Sequence, residues 1–470
     1  MKKQTKQKIS RNTSLDKDYP IKVGYAWAPA VIDDYPLAQL HVTDTKHLTG
    51  IVEREKTVLG MRFYQKTALG RKLTYNALRG NLRKIGVPAD QIQWPGREVI
   101  RQTKFSLYNQ ADVGNESARG KVARDLVRKD SYVLQDSGGF QLVSGVEDFI
   151  DPLLVARKHS LYADSGVSLD LPVSGITDKK FALAAAAMLA ANTKKILENT
   201  HSNVKVMNVC HGATIDIRGA FLDVVTKEPA HSLCIAGLRR AATNSDADFD
   251  RSSPVAFASH IVFAMLKTEK LYHHYHVLGV ATPWQMALIA LIANLHQKIV
   301  TSDSASHSLS AKSGILIDYA QQQAFKNSGY TVNSYSQLYC SCPMCYTLKD
   351  SLWYKIGASW MPAIHNIYTL LRSADTFDHL AKVLLAEKAT DQVISRELLL
   401  NSPKLPPAVV NDFQKAVKLV MHTSKASQVK SLPESAPMGG LFQQKSASKV
   451  PPRFVEILHS YEKYHKAKWI

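Results

Sequence analysis

The chain has 470 residues, with 59 Lys and Arg against 40 Asp and Glu, a formal net charge of +19. That length holds one large domain with additions, or two domains, and 45% hydrophobic residues exclude a chain disordered throughout. The charge draws the protein to a polyanion, nucleic acid first, and no apolar run approaches the roughly 18 residues that make a candidate membrane span.

Residues 1–20 form a basic, polar arm suited to phosphate contacts. The arm lacks the apolar core of a secretory signal, so a cytoplasmic protein is expected. From Ile21 to about residue 128 the pattern is mixed: 23–27 and 58–61 are β-prone and 118–128 is helix-like, with boundaries left open. Beyond Ser131 the organisation becomes regular. Short β-prone runs at 132–135, 167–171, 204–209, 232–236, 275–280 and 299–302 alternate with helical stretches at 179–198, 213–225, 254–267 and 283–297. Alternation of this kind predicts parallel strands joined by right-handed crossovers, hence an α/β fold, either a (β/α) barrel or a doubly wound sheet. No Gly-x-Gly-x-x-Gly or P-loop follows a strand, which favours the barrel.

The ends of these runs carry unusual chemistry. Asp136-Ser-Gly-Gly-Phe140-Gln closes the first, Asp170 the second, Cys210-His211-Gly212 the third, Gly237-Leu238 the fourth, Gly279 the fifth and Asp303 the sixth. Taken alone, Asp136-Ser-Gly-Gly reads as a glycine turn whose aspartate caps a helix. In a barrel, all such ends face one mouth, where active sites are built. Three aspartates interleaved with glycines therefore predict a single mouth-facing site.

Cys340-Ser-Cys342-Pro-Met-Cys345 is too crowded for a disulfide framework and reads as metal ligation. With one imidazole, three thiolates complete a tetrahedral zinc shell, closed to water and therefore structural. His365 is the expected fourth ligand, with His307 as the alternative.

Taken together, Asp136-Ser-Gly-Gly-Phe-Gln, Ala236-Gly-Leu238, His276-Val-Leu-Gly-Val-Ala-Thr-Pro283, Asp303 and the Cys-x-Cys-x-x-Cys…His-Asn pattern resemble the tRNA-guanine transglycosylase family, over about residues 131–371. The resemblance implies a (β/α)8 TIM barrel with a zinc-binding subdomain near its C-terminal end, exchanging a guanine in nucleic acid for a 7-deazaguanine. On that resemblance Asp303 is the nucleophile and Asp136 the general acid/base. Asp170, His211, Gly237, Leu238 and Gly279 contact the base, and Phe140 and Leu278 sandwich it. Cys340, Cys342, Cys345 and His365 hold zinc. The implied domains are 1–20 as the arm, 21–400 as the barrel with the zinc subdomain at about 335–370, and 401–470 as a helical extension with a basic linker.

Departures from the family pattern bear on the polymer. After the nucleophile, relatives acting on tRNA carry Pro-Thr-Arg and a second RNA-reading arginine, whereas Ser304-Ala-Ser-His-Ser-Leu-Ser310 stands here. His211 stands where the family has glutamine. Arg239-Arg240 replaces the usual Val-Gly-Glu beside the pocket and adds charge for the phosphate backbone. These changes resemble the branch that inserts 7-deazaguanines, such as 7-cyano-7-deazaguanine, into DNA in bacteria and phages, where the target base must leave the stack. Action on tRNA and a non-catalytic nucleic-acid-binding paralogue are the alternatives, and a helper protein or homodimer is compatible with each. Past Asn401 the resemblance ends: 409–422 reads as a helix, 424–452 as a linker and 454–470 as a basic amphipathic helix whose default role is packing.

Overall fold

A computed structural model of the chain describes residues 23–27, 105–109, 132–145, 147–238, 253–280, 282–304, 315–318, 323–326, 360–401, 407–431 and 450–470. The strands are β1 (Val23–Trp27), β2 (Phe105–Asn109), β3 (Tyr132–Asp136), β4 (Ser165–Val167), β5 (Lys205–Cys210), β6 (Ser232–Ile235), β7 (His274–Val277), β8 (Ile299–Ser304), β9 (Ile315–Asp318) and β10 (Gln323–Lys326). The helices are α1 (Gly139–Val143), α2 (Pro152–Tyr162), α3 (Lys179–Asn199), α4 (Ile215–Val225), α5 (Pro254–Lys267), α6 (Pro283–Leu295), α7 (Trp360–Ala386), α8 (Asp391–Leu400), α9 (Pro407–His422), α10 (Ala426–Lys430) and α11 (Pro452–His465). Strands β3 to β8 form a curled parallel sheet in sequential order, each joined to the next through helix on its outer side. Parallel pairing requires such crossovers, and a sheet covered on its outer face buries its strands on both sides. β4, β6 and β7 are accordingly buried at every position. No described helix is long and apolar enough to cross a membrane.

The expected segments reappear with shifted ends. Helix α5 matches its expected range, whereas β4 lies earlier than the 167–171 run and leaves Asp170 three residues beyond the strand. β8 is longer than expected and carries Asp303 within it. Residues 424–452 were expected to be linker, but 426–430 form α10, because Val429 is buried in the core.

Strand-to-helix junctions are set locally. Asp151, Asp178, Thr214 and Ser253 each accept a backbone N–H from the first turn of α2, α3, α4 and α5, satisfying donors that a helix start leaves unpaired. Proline at 152, 254 and 283 begins α2, α5 and α6, where its missing N–H costs nothing. At α6, Gln285 Oε1 accepts from both the Thr282 N–H (3.4 Å) and hydroxyl (2.6 Å). Helix α6 is buried from Pro283 to Asn294, since it packs against the sheet on one side and α7 on the other. That double contact explains its apolar positions all round.

A fully buried cation lies inside this core. Arg218 of α4 is fully buried and donates to three carbonyls at the ends of β5 and β6: Nη1 to Cys210 O (3.2 Å), and Nη2 to Gly212 O (3.3 Å) and Ala236 O (3.0 Å). Its Nε–H is given to His260 Nδ1 at 2.8 Å. Burial pushes the Arg218 pKa down, and burial with the adjacent guanidinium holds His260 well below the usual histidine range, leaving a neutral ring that accepts. Gly212 is what permits the approach, because a Cβ there would lie 2.6 Å from the Arg218 backbone. Arg218→Met should lower stability by roughly 3 kcal/mol, the cost of orphaning several buried acceptors. A urea titration reads this as a lower midpoint.

Candidate active site at the strand ends

The site is assembled where β3 to β8 end. Asp136 is the last residue of β3, and its Oδ1 accepts the Ser137 N–H at 2.8 Å. Gly138 then takes φ +92°, a left-handed conformation that glycine adopts without strain, and starts α1. Gly139 is required for a different reason: a Cβ there would stand 2.3 Å from Asp170 Oδ1 and 2.5 Å from Asp170 O. The two glycines thus turn the chain and let the β3 loop press against the aspartate that follows β4. Phe140, next in line, is 41% exposed although its neighbours Gly139 and Gln141 are buried.

Asp170 is 7% exposed and is held from the far side. The His211 Nε2–H donates to Asp170 Oδ2 at 2.6 Å, and His211 Nδ1 accepts the Ser174 hydroxyl at 2.6 Å. Both ring nitrogens of His211 are therefore engaged, and its ring meets Phe221 edge-on at 5.7 Å. Gly237, at φ +77°, closes over this chain, since a Cβ there would lie 2.0 Å from the Ser174 side chain. Leu238 is fully buried beside it. Three successive strand-end loops are thus locked together through Asp170, His211, Ser174 and Gly237.

Asp303 is fixed by the neighbouring strand. Its Oδ1 accepts the Gly279 N–H at 2.9 Å and the His276 Nε2–H at 3.1 Å. Among the described residues, Oδ2 has no hydrogen-bond partner. Gly279 sits at φ +74°, which turns its N–H inward, and Leu278 before it is half-buried. His276 Nδ1 lies 2.8 Å from Thr301 Oγ1, its cross-strand partner, and the same hydroxyl lies 2.9 Å from His274 Nε2. Burial, with His276 and His273 nearby, holds His274 well below the usual histidine range. The neutral His274 donates its Nε2–H to Thr301, whose hydroxyl donates to His276 Nδ1, and His276 then gives its Nε2–H to Asp303. Every group in the line has one consistent direction.

The three carboxylates share one neighbour in β6. The Cys234 thiol of β6 is fully buried, and burial followed by the charges of Asp136, Asp170 and Asp303 pushes it well above its usual range. A thiol that feels all three aspartates lies within reach of each. Chemically, the arrangement offers a carboxylate with one oxygen anchored and one without a hydrogen bond among the described residues, a second beside a glycine turn and a third oriented by an imidazole.

Ser174, His276, Thr301 and Arg218 were not anticipated. For His276 and Thr301 a signal was present: His274-x-His276 and Thr301-x-Asp303 place polar residues at period two on adjacent strands, hence on one face. Ser174 and Arg218 carry no such pattern. Arg239, Arg240, Cys340, Cys342 and Cys345 lie outside the described residues, as does the side chain of His365. Among the described residues, no group of three His, Cys, Asp or Glu is arranged to hold a metal.

The fold and the site define an α/β protein with a curled parallel sheet and three carboxylates at the ends of its strands. Comparison with models of known protein families gives no match, and no curated protein matches the chain.

The buried neutral imidazoles make stability pH-dependent with a defined sign. His159 is pushed from 6.5 down to about 4 by burial, partly offset by its hydrogen bond to Val167 O, and burial likewise holds His260 and His274 well below the usual histidine range. Their unfolded forms bind protons that the folded forms do not, so stability is full above about pH 6.5 and falls as the pH drops toward 4, by ~3 kcal/mol for His159 alone. Urea midpoints should hold between pH 7.5 and about 6.5 and fall from there to pH 5; a flat profile across that lower range contradicts this account.

Proposed function

We propose that the protein is a base-exchanging glycosyltransferase that replaces guanine in DNA with a 7-deazaguanine derivative such as 7-cyano-7-deazaguanine. The observation that carries the reading is the placement of Asp136, Asp170 and Asp303 at the ends of parallel strands of one sheet, with Asp303 anchored through one oxygen only. Asp303 Oδ2 attacks the anomeric carbon of the target nucleotide, forming a glycosyl ester as the bond to the guanine nitrogen breaks. Asp136 gives the departing purine its proton. The incoming base then loses a proton to Asp136, attacks the same carbon and releases Asp303, so the two carboxylates divide nucleophilic and acid/base work as in retaining glycosidases.

Asp170 accepts hydrogen bonds from the N–H-bearing edge of the purine. His211, with both nitrogens committed, serves that contact by orienting Asp170. Gly237 and Gly279 bring backbone to the ring, and Phe140 and Leu278 cover its faces. His276 orients Asp303. Arg239 and Arg240, next to Gly237 in the chain, meet the phosphate backbone, and the net charge of +19 supports a polyanionic partner inside the cell. DNA is preferred to tRNA because Ser304-Ala-Ser-His stands where RNA-reading arginine motifs are expected.

The same reading takes the sheet as an eight-stranded (β/α) barrel. Parallel pairing of β1 with β8 from Val23–Val300 to Trp27–Ser304, of β2 with β3, and of β1 with β2 at Trp27–Ser106 supports it. It also assigns zinc to Cys340, Cys342, Cys345 and His365. Three thiolates and an imidazole suit zinc and leave it a structural rather than a chemical role. Purified protein should contain about one zinc per chain, and a Cys342→Ser variant should lose it by elemental analysis.

The direct test offers the protein labelled 7-cyano-7-deazaguanine with duplex DNA, single-stranded DNA or tRNA. Label should enter DNA, and Asp303→Ala should abolish both exchange and the covalent adduct. Incorporation into tRNA alone overturns the choice of polymer, and exchange surviving in Asp303→Ala removes the proposed nucleophile.

A further inference from the structure

The C-terminal helix α11 does more than cover the core. Its apolar face, Phe454, Ile457, Leu458 and Tyr461, is buried to 2% exposure or less, which seats the helix firmly. From that seat it reaches the loop after Asp136 by several bonds spanning more than 300 residues. Arg453 Nε–H donates to Leu142 O at 3.2 Å, at the end of α1, and its Nη2 donates to Glu147 O and Asp148 Oδ1, both at 2.9 Å. The Tyr461 hydroxyl donates to Ile150 O at 2.7 Å and accepts the Ile150 N–H at 3.3 Å. Tyr464 donates to Asp151, the N-cap of α2, at 2.7 Å. Phe149 packs on the rings of Tyr461 and Tyr464, with centroids 4.9 and 5.3 Å away.

The same helix touches the other side of the site. His465 Nε2 lies 2.8 Å from Asn192 Oδ1, and Asn192 Nδ2 donates to Leu169 O at 3.0 Å, the carbonyl immediately before Asp170. Helix α1 has only five residues, and Ser144, Gly145, Asp148 and Phe149 behind it are exposed, so the loop has little holding power of its own. Contacts from α11 supply what the loop lacks.

We propose that α11 is a clasp that fixes the distance between the Phe140 wall and Asp170, with Arg453 as its principal positioning residue. What the two walls grip is taken from the transglycosylase reading; that α11 grips the walls is independent of it. A loosened clasp leaves Asp303 and its His276 anchor in place, since neither touches α11, so binding of the free base should suffer and turnover should not.

The experiment compares full-length wild type with Arg453→Ala in two measurements. In exchange assays with labelled 7-cyano-7-deazaguanine, KM for the base should rise about ten-fold, with kcat changed by less than about two-fold. Hydrogen exchange read by mass spectrometry should quicken in peptides covering 139–150 and stay unchanged in those covering β7 and β8. Unaltered exchange at 139–150 overturns the clasp, as does a fall in kcat at constant KM. If wild type transfers no base at all, the functional reading fails, and the hydrogen-exchange comparison still decides whether α11 holds the loop. Should Arg453→Ala not fold, Arg453→Lys replaces it, since lysine keeps the charge but cannot span all three acceptors.

Discussion

Three carboxylates stand at the ends of parallel strands of one sheet, and much of the site is a set of donors that holds them. Asp136 receives its own loop's N–H, Asp170 the imidazole of His211, and Asp303 both the Gly279 N–H and His276. Each donor is fixed in turn by something behind it: Ser174 behind His211, and Thr301 with His274 behind His276. In a region of low effective dielectric such charge-assisted bonds are worth more than in water, and an unmet charge would cost more. The rigid ends of the strands are where these partners can be held to within a few tenths of an ångström.

Glycine serves the same end by a different route. At Gly139 and Gly237 a side chain would occupy space already taken by Asp170 and Ser174, so the loops interlock because those positions have no Cβ. Arg218 works one layer below, gathering the carbonyls that end β5 and β6 and holding the segments from which His211 and Gly237 emerge. A buried guanidinium without a carboxylate partner among the described residues fits this position because three carbonyls at the ends of β5 and β6 accept from it.

Helices α7 to α11 extend this scaffold around the sheet. α7 covers α6, α9 packs along α5, and Asp412 of α9 accepts from both the Ser253 hydroxyl and the Val255 N–H at the start of α5. Phe413, Val417 and Val420 are fully buried there. The segment after residue 400 therefore shares the core, and α11 brings its polar edge to the loop that carries Phe140.

Much of the sheet was legible in the chain by itself, because burial on both faces forces short β-branched and apolar runs, and the crossovers force the intervening helices. The helix starts at 254 and 283, where Ser253 and Thr282 precede proline, could be read directly, whereas α2 at 152–162 was not anticipated. Asp136, Asp170 and Asp303 stood out as strand-end carboxylates, and the resemblance gave each a proposed role. What no local pattern contained was partnership. That His211 spends both nitrogens within the site, that Gly139 exists to admit Asp170, that Thr301 joins two histidines to Asp303, and that Arg453 reaches back more than 300 residues to Leu142 are consequences of long-range approach. The sequence determined which groups were present and at which strand end; only the tertiary structure decided which of them touch, because hydrogen bonding depends on separations of about 3 Å that spacing along a chain does not encode.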